Sequence, residues 1–242
     1  MIAEVFKQKS WLKSEENAYK TLFDVAKAKY TSKKEGFQYC LTLNPLGYLA
    51  LKKKPDLIHQ ADFLIADGIG FFILSKLFCK ACDRIAGIEM AEALLEGGVS
   101  VALLGAKASV SARLKRDFNA LFPNSTLVLC QDGFCFDSKD VIKKLKEKKP
   151  DLILVGMGSP KQEVFLYEAK KDLELGLGMG VGGAFDIWSG RLKRAPKLVQ
   201  VMGLEWLFRM LCEPYRLFRL PQLVGFFMGA LWAYLLQLKI KS

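Results

Sequence analysis

Residues 151–183 read DLILVGMGSPKQEVFLYEAKKDLELGLGMGVGG, and their pattern indicates the fold class most clearly. Two short apolar runs, 151–158 and 173–183, lie on either side of a helical pattern at 160–171. Continuous apolar runs that end in glycine are typical of strands buried on both faces. Two such strands joined through a helix form a βαβ unit, in which the strands are parallel. The stretch therefore predicts one unit of a parallel sheet.

The same alternation of strand and helix continues through residues 37–190. The further strand runs are 38–44, 61–67, 99–105 and 125–132, and the further helical ones are 46–53, 69–76, 88–95, 108–122 and 139–149. This order predicts an α/β fold with a Rossmann-like, doubly wound, mostly parallel sheet. We expect an N-terminal helical segment at 1–36, an α/β catalytic core at 37–190 and a C-terminal appendage at 191–242.

The C-terminal part of the chain is basic and rich in aromatic residues. Residues 187–242 contain nine Lys/Arg and two Asp/Glu, and so carry +7 of the formal net charge of +11. They hold three of the four tryptophans and include an uncharged run at 220–238. Cationic groups beside aromatic and apolar residues favour an anionic membrane surface. We expect a helix that lies in the membrane interface, with a membrane span or a contact between copies of the chain as alternatives.

The motifs that the sequence lacks limit the possible binding partners and the cellular location of the protein. The basic residues form no helix-turn-helix, zinc-finger or RRM-like pattern, so we expect no nucleic acid. Residues 1–13 show no signal-peptide pattern, which predicts a cytoplasmic protein, peripheral on the inner face of the cytoplasmic membrane.

Cys79 and Cys82 form a CxxC that could bind zinc with Cys130 and Cys135. Reduced thiols that pack as small apolar side chains fit the loose spacing better.

Polar and small residues follow the predicted strands, at the edge where parallel sheets bind ligands. Asp67 ends one strand and precedes Gly68. Its carboxylate could act as a general base or could cap the next helix, and the sequence leaves the two roles open. Further on, Pro160 and Glu163 are typical of a helix start, while Gln162 could place an amide over a site.

Gly178, Gly180 and Gly183 fit the pattern G-x-G-x-x-G. A dinucleotide fingerprint normally follows the first strand of its domain, whereas this one follows the last predicted strand. We favour a loop whose backbone N–H groups meet a diphosphate. Nicotinamide binding, and glycines that only pack a turn against the sheet, are the alternatives.

Three arginines of the appendage, Arg209, Arg216 and Arg219, are spaced seven and three residues apart. On one continuous helix they would fall within an arc of about 80°, although Pro214 and Pro221 would interrupt such a helix. Arginine binds phosphate through two parallel hydrogen bonds. The trio could therefore bind a phosphate group, an anionic lipid surface, or both.

These motifs, in this order, resemble the WecG/TagA/CpsF family of bacterial glycosyltransferases over roughly residues 38–220. The pieces that precede the appendage are Thr42-x-Asn44, Ala66-Asp67-Gly68, Asp83-Arg84-Ile85-Ala86-Gly87, Asp132-Gly133, Gly156-x-Gly158-Ser159-Pro160-Lys161-Gln162-Glu163 and Gly180-Val181-Gly182-Gly183-x-Phe185-Asp186. Those that follow are Gly190-Arg191-x-x-Arg194-Ala195-Pro196, Gly203-Leu204-Glu205-Trp206-x-x-Arg209 and Glu213-Pro214-x-Arg216-x-x-Arg219.

The resemblance implies inverting transfer of a sugar from a UDP-sugar to a polyprenyl-diphosphate-linked saccharide, in the synthesis of a bacterial surface polysaccharide. The sugar would be N-acetylmannosamine, N-acetylmannosaminuronate or a related hexose. The resemblance makes Asp67 the candidate base and assigns catalytic roles to the three appendage arginines. The candidate substrate-binding residues are Thr42, Asn44, Arg84, Gln162, Glu163, Gly180, Gly182, Gly183, Asp186, Arg191 and Arg194.

No D-x-D motif of the kind that holds a divalent ion occurs in the chain, so we expect no metal and no cofactor. Two other classes of function are compatible with parts of the sequence. A nicotinamide-dependent oxidoreductase would bind NADH tightly and would not bind UDP. A non-catalytic membrane adaptor would bind vesicles through the basic, aromatic tail and would turn over no UDP-sugar.

Overall fold

The computed structural model describes residues 2–8, 11–28, 36–78, 83–133 and 137–241, with the backbone alone at 3, 237, 238, 240 and 241. Three cysteines of the zinc alternative, Cys79, Cys82 and Cys135, lie outside the described residues. The fourth, Cys130, is a half-buried free thiol on a strand, and burial raises the pKa of that thiol.

Within the described ranges, six strands form one parallel sheet. They are β1 (Gln38–Leu43), β2 (Phe63–Ala66), β3 (Ser100–Gly105), β4 (Thr126–Gln131), β5 (Leu152–Gly156) and β6 (Leu177–Gly180). Their order across the sheet is β2-β1-β6-β5-β3-β4, and each neighbouring pair runs parallel. Every strand overlaps one of the predicted apolar runs, so the α/β prediction is confirmed.

Helices lie on both faces of this sheet. Those of the N-terminal segment and core are α1 (Ile2–Val5), α2 (Glu15–Ala26), α3 (Pro45–Leu51), α4 (Asp56–His59), α5 (Gly68–Phe78), α6 (Gly87–Glu96), α7 (Ala108–Leu121), α8 (Ser138–Lys148), α9 (Lys161–Asp172) and α10 (Ala184–Trp188). Those of the appendage are α11 (Lys197–Val201), α12 (Glu205–Cys212), a 3-10 helix (Pro214–Arg219) and α13 (Leu220–Lys241).

Two apolar cores lie against the two faces of the sheet, because successive side chains of a strand point to opposite sides. In β5, Ile153 and Val155 belong to the core that also contains residues of α3, α5, α9 and α13. Leu152 and Leu154 belong to the other, which contains residues of α2, α6 and α7. This arrangement confirms the doubly wound, Rossmann-like architecture.

Strand β4 departs from the prediction that every strand is buried on both faces. Thr126 is exposed and the remaining residues of β4 are half-buried, whereas the other five strands are mostly buried. The reason is that β4, at one edge of the sheet, pairs only with β3, whereas β2, at the other edge, also pairs with Trp11 of the N-terminal segment. An apolar run in the sequence does not distinguish an edge strand from a central one.

The N-terminal segment packs onto the core. Among the described residues of 1–36, the helices are α1 and α2, and the chain between them is extended where Trp11 pairs with Leu64 of β2. The Trp11 ring stacks on Phe6 at 5.2 Å between centroids. Residues 1, 9, 10 and 29–35 lie outside the described ranges, and the division of the chain at residues 36 and 190 stays a prediction.

The appendage closes over one end of the sheet through its last helix. Phe226 of α13 is 7% exposed, and its ring centroid lies 5.6 Å from that of Tyr48 and 6.0 Å from that of Phe71. Gly70 of α5 leaves room for this helix, because a Cβ at that position would lie 2.8 Å from Cζ of Phe227. The absence of a side chain at residue 70 thus allows α13 to pack closely.

The outward side of α13 is apolar and exposed. Val224, Met228, Leu231 and Leu235 recur at helical spacing, and all four are exposed. In the described part of the chain, Pro214–Leu236 is the one segment long and apolar enough to cross a membrane, and little of it is buried in the protein.

Replacing Phe226 with Ala should lower the free energy of unfolding by about 3 kcal/mol, because it removes a buried ring and leaves a cavity between α13 and the core. Phe218→Ala is the matched control, since Phe218 is 86% exposed, and it should change stability by less than about 0.5 kcal/mol. Urea unfolding of the full chain, followed by tryptophan fluorescence, measures both. Equal stabilities of the two variants would contradict the docking of α13.

Candidate functional site

A cavity of about 1000 Å³ lies beyond the carboxyl ends of β2, β1, β6 and β5, where parallel sheets bind ligands. Its floor consists of residues at the strand ends and in the first turns of the helices that follow, namely Thr42, Asn44, Asp67, Gly156, Met157, Gly158, Ser159, Gln162, Val181, Gly182, Gly183 and Asp186. Its other walls come from α3 and the appendage, namely Leu46, Gly47, Leu49, Ala50, Lys52, Arg209, Arg216, Arg219, Gln222, Gly225 and Phe226. The cavity therefore brings together most of the predicted site residues.

Asp67 follows β2 and faces the cavity with both carboxylate oxygens held. Oδ1 accepts a hydrogen bond from the backbone N–H of Gly87 at 3.2 Å, and Oδ2 accepts one from Nδ2 of Asn44 at 3.3 Å. Both donors lie outside α5, the helix that Asp67 precedes. The hydrogen bonds of the described residues therefore favour a site role for this carboxylate over the capping role.

Asn44 is oriented by the start of α3. Its Oδ1 accepts a hydrogen bond from the N–H of Gly47 at 2.9 Å, which is an N-cap contact, and so its Nδ2 group points to Asp67. One side chain thus begins a helix and fixes a carboxylate in the cavity.

Thr42 links β1 to β6 at the cavity floor. Its hydroxyl donates a hydrogen bond to the carbonyl oxygen of Gly180 at 2.9 Å. The methyl group of Thr42 also packs against Gly87, where a Cβ would lie only 2.9 Å from it. Glycine at position 87 therefore lets the start of α6 come close enough to donate to Asp67.

Gln162 joins the loops that follow β5 and β6. Its Oε1 accepts from the N–H of Gly158 at 3.1 Å and from the N–H of Gly182 at 3.2 Å. Its Nε2 donates to Oε1 of Glu163 at 2.9 Å. The amide is 4% exposed and lines the cavity, so the expected place of Gln162 over the site agrees with the structure.

The glycines of the G-x-G-x-x-G pattern have different surroundings. A Cβ at Gly178 would lie 2.5 Å from Leu166, and one at Gly180 would lie 2.6 Å from Nε2 of Gln162. Gly178 and Gly180 therefore serve packing, and Gly180 contributes its carbonyl oxygen to Thr42 rather than a surface to the cavity. Gly182 and Gly183 do line the cavity, but the N–H of Gly182 already donates to Gln162.

The three arginines reach the same cavity from two elements. Arg209 projects from α12, while Arg216 and Arg219 belong to the 3-10 helix that Pro214 begins. The interruption expected at Pro214 is confirmed, because α12 ends at Cys212 and the 3-10 helix begins at Pro214, so the arc of one continuous helix does not apply. Pro221 does not break α13, since it lies in the first turn, where its missing N–H costs no hydrogen bond.

The three arginines differ in whether a carboxylate of the protein pairs with them. Arg216 forms an ion pair with Glu213, with 2.7 Å between Nε and Oε2. Burial acts to raise the pKa of Glu213, but the Tyr215 hydroxyl and Arg216 together hold that pKa below its usual value. Among the described residues, neither Arg209 nor Arg219 forms an ion pair within 4.0 Å. The cavity thus contains two guanidinium groups that are available to an anion.

Four predicted substrate-binding residues lie outside the cavity lining, besides Gly180. Arg84 donates to the carbonyl oxygen of Gln200 at 2.9 Å, and Arg191 pairs at 2.7 Å with Asp186, which does line the cavity. The other two are Arg194 and Glu163. Their polar groups serve contacts within the protein, and their direct contact with a substrate stays a prediction.

Arg194 joins the appendage to the core. Its guanidinium group lies 2.7 Å from Glu89, 3.1 Å from Glu92 and 3.9 Å from Glu205. Burial raises the pKa of Glu205, although Arg209 and Arg194 act against the rise. Glu205 is the first residue of α12, so this cluster holds the helix that carries Arg209.

Glu163 lies behind Gln162 and is 3% exposed. Its Oε1 accepts from Nε2 of Gln162 and from the hydroxyl of Ser159 at 2.7 Å. Burial raises the pKa of Glu163, and these hydrogen bonds act in the opposite direction. Its effect on the cavity must therefore pass through Gln162 and Ser159.

The sequence patterns did not identify the wall formed by α3 and α13. Lys52 and the apolar residues Leu46 and Leu49 line it from α3, and Gln222 and Phe226 line it from α13. The only signal was the helical pattern directly after Asn44, which places one helix face beside a strand end. Among the described residues, no group of three or more His, Cys, Asp and Glu side chains is placed to hold a metal ion.

Comparison with known proteins defines the class as glycosyltransferase. The chain belongs to the family described as "Glycosyl transferase WecG/TagA/CpsF family", which matches residues 13–240. A similar protein from Bacillus spizizenii (strain ATCC 23059 / NRRL B-14472 / W23) is named N-acetylglucosaminyldiphosphoundecaprenol N-acetyl-beta-D-mannosaminyltransferase. It is 34% identical over 190 residues, which cover 74% of this chain and 72% of that protein. The predicted family is confirmed, and the oxidoreductase and adaptor alternatives are left without support.

Replacing Asn44 with Ala should cost about 1 kcal/mol of stability through loss of the N-cap, and should also reduce glycosyl transfer, because Asp67 loses a donor. Ser14→Ala is the matched control, since Ser14 caps α2 in the same way, through the N–H of Asn17, but does not line the cavity. Thermal unfolding and transfer rates of both variants provide the comparison. A loss of transfer that is equal in the two variants would refute the orienting role of Asn44.

Proposed function

We propose that this protein is an inverting glycosyltransferase that moves a sugar from a UDP-sugar to a polyprenyl-diphosphate-linked saccharide, in the synthesis of a bacterial surface polysaccharide. The observation that carries the proposal is the single cavity that joins a held carboxylate, Asp67, to Arg209, Arg216 and Arg219. A carboxylate can remove a proton from an attacking hydroxyl, and guanidinium groups can stabilise a departing diphosphate.

The name of the relative supports the choice of substrates. That protein is named for transfer of N-acetylmannosamine to N-acetylglucosaminyl-diphospho-undecaprenol. We therefore propose N-acetylmannosamine, its uronate or a related hexose as the sugar, and a lipid-linked N-acetylglucosamine as the acceptor. A cavity of about 1000 Å³ is at the upper end of the usual range for ligand sites, which suits two substrates bound together.

Asp67 would act as the general base. Because its two oxygens accept from Gly87 and Asn44, the carboxylate is held in one orientation before the acceptor arrives. The acceptor hydroxyl would lose its proton to Asp67 and attack the anomeric carbon, while UDP leaves from the opposite face of the sugar. Attack in line with the leaving group inverts the anomeric configuration.

The arginines would stabilise the diphosphate as it leaves. Negative charge develops on the UDP oxygens, and donors already in place stabilise that charge without reorganisation. Gly183 would bring the donor beside Arg209, since a Cβ at residue 183 would lie 3.5 Å from Nη1 of that side chain. The cationic wall supports a mechanism that requires neither a metal ion nor a cofactor.

The location of the acceptor gives the apolar appendage a role. A polyprenyl chain lies in the bilayer, so its sugar reaches the enzyme only at the membrane surface. The exposed face of α13 and the basic charge of the appendage would hold the protein on the inner face of the cytoplasmic membrane, as a peripheral protein or a homo-oligomer of such proteins. Because Phe226 and Ala230 of α13 pack on the core, a helix lying in the interface is favoured over one that spans.

Asp67→Asn should lower the rate of transfer by about 10²–10⁴-fold, the usual contribution of a general base, and should leave UDP binding unchanged. Asp62→Asn is the matched control, because Asp62 adjoins the other end of β2 and pairs with Lys170 at 2.6 Å. A panel of UDP-sugars with a lipid-diphosphate N-acetylglucosamine acceptor, read by UDP release and product mass, measures both variants. Full activity of Asp67→Asn would exclude Asp67 as the base.

Arg219→Gln should reduce transfer by about 10²-fold, because one preorganised charge that stabilises the leaving diphosphate is lost. Lys197→Gln is the matched control, because it loses the same charge on the exposed surface of α11. Its transfer rate should stay within about twofold of that of the original chain. The same transfer assay, repeated with EDTA, should show little effect of the chelator. A strict requirement for Mg²⁺, or equal losses in the two variants, would contradict the role of the arginines.

A further inference from the structure

The carboxylate of Glu163 is buried in an unusual way for a charged side chain. It is 3% exposed, and one of its oxygens, Oε2, has no hydrogen-bond partner among the described residues. The other oxygen, Oε1, accepts two hydrogen bonds, from Ser159 and from Gln162. A buried carboxylate destabilises the fold unless hydrogen bonds compensate for its desolvation. Its position is therefore not explained by stability of the fold alone.

Gln162 needs one particular orientation of its amide. Oε1 accepts from the N–H groups of Gly158 and Gly182, so the carbonyl end must face the two loops. The amide with its ends exchanged would direct an NH₂ group at two N–H donors and would lose both hydrogen bonds. The two loops, 157–160 and 181–183, form neighbouring parts of the cavity floor.

Glu163 holds the amide in this same orientation from its other end. Its Oε1 is an acceptor in this contact, so the NH₂ end of Gln162 must face it and the carbonyl end must face the loops. Gly180 leaves the space that the amide occupies, since a Cβ there would approach Nε2 to within 2.6 Å. The contacts form a chain from Glu163, through Gln162, to the backbone of both loops.

We propose that Glu163 is a positioning residue for the donor sugar nucleotide: it fixes the amide of Gln162, which then holds the loops 157–160 and 181–183 together as one surface for the donor. The inference rests on the proposed function, because it assumes that a nucleotide sugar binds at this floor. Glu163 itself does not touch the substrate. Its loss should therefore impair donor binding more than the chemical step at Asp67.

The experiment compares Glu163→Leu with Glu163→Gln in the full chain. Leucine removes the acceptor, whereas glutamine keeps a carbonyl oxygen for Ser159 and Gln162. We expect Glu163→Leu to raise KM for the UDP-sugar at least tenfold with kcat changed less than threefold, and Glu163→Gln to restore KM to within threefold of the original chain. Calorimetric titration with UDP alone should show the same order of affinities.

Asp151→Asn is the control for general loss of stability. Asp151 is also buried, at 1% exposure, but it lies at the amino end of β5 and contacts Ser100 rather than the cavity. This variant should lower the melting temperature without a change in KM. If Glu163→Leu does not fold, Glu163→Ala takes its place and is interpreted in the same way.

The outcomes separate this inference from the proposed function. Absence of transfer by the unmodified chain with every UDP-sugar would overturn the proposed function. Normal transfer by that chain, with an unchanged KM and UDP affinity in the Leu or Ala variant, would overturn the role of Glu163 alone. So would a Gln variant as impaired as the Leu variant, because the acceptor oxygen would then not be what matters.

Discussion

The packing of Phe226 against Tyr48 and Phe71 is the contact on which the shape of the cavity depends. The parallel sheet supplies a floor of strand-end residues, but among the described residues the floor itself contains no cation. The arginines enter from the appendage, and the appendage is held where α13 meets α3 and α5. That contact supports the 3-10 helix that carries Arg216 and Arg219, while the Arg194 cluster holds the helix that carries Arg209.

Two amide side chains give the floor its geometry by the same principle. Asn44 uses its oxygen on the start of α3 and its nitrogen on Asp67. Gln162 uses its oxygen on two loops and its nitrogen on Glu163. In each case, backbone N–H groups occupy the carbonyl end of the amide, so the NH₂ end can only face a carboxylate. Polar groups on different elements are thereby held in place before any substrate binds.

Much of the fold could be predicted from the sequence, because buried parallel strands leave apolar runs that end in small residues. The sequence also predicted that four polar side chains meet in one place, because the carboxyl ends of parallel strands lie at the same edge of a sheet. These side chains are Asp67, Thr42, Asn44 and Gln162. The positions of Arg84, Arg194 and Glu163 could not be predicted from the sequence. Their partners, such as Glu89 for Arg194, lie on elements far away in the chain, and a family motif does not reveal whether a side chain faces a ligand or another side chain.

The central claim is that a docked appendage completes a diphosphate site which the core leaves unfinished. A structure of the full chain with UDP, in a lipid bilayer disc, tests this most directly. The account predicts guanidinium nitrogens of Arg209, Arg216 and Arg219 at hydrogen-bond distance, about 3 Å, from the diphosphate oxygens. All three side chains pointing into solvent, with the diphosphate bound elsewhere, would contradict it.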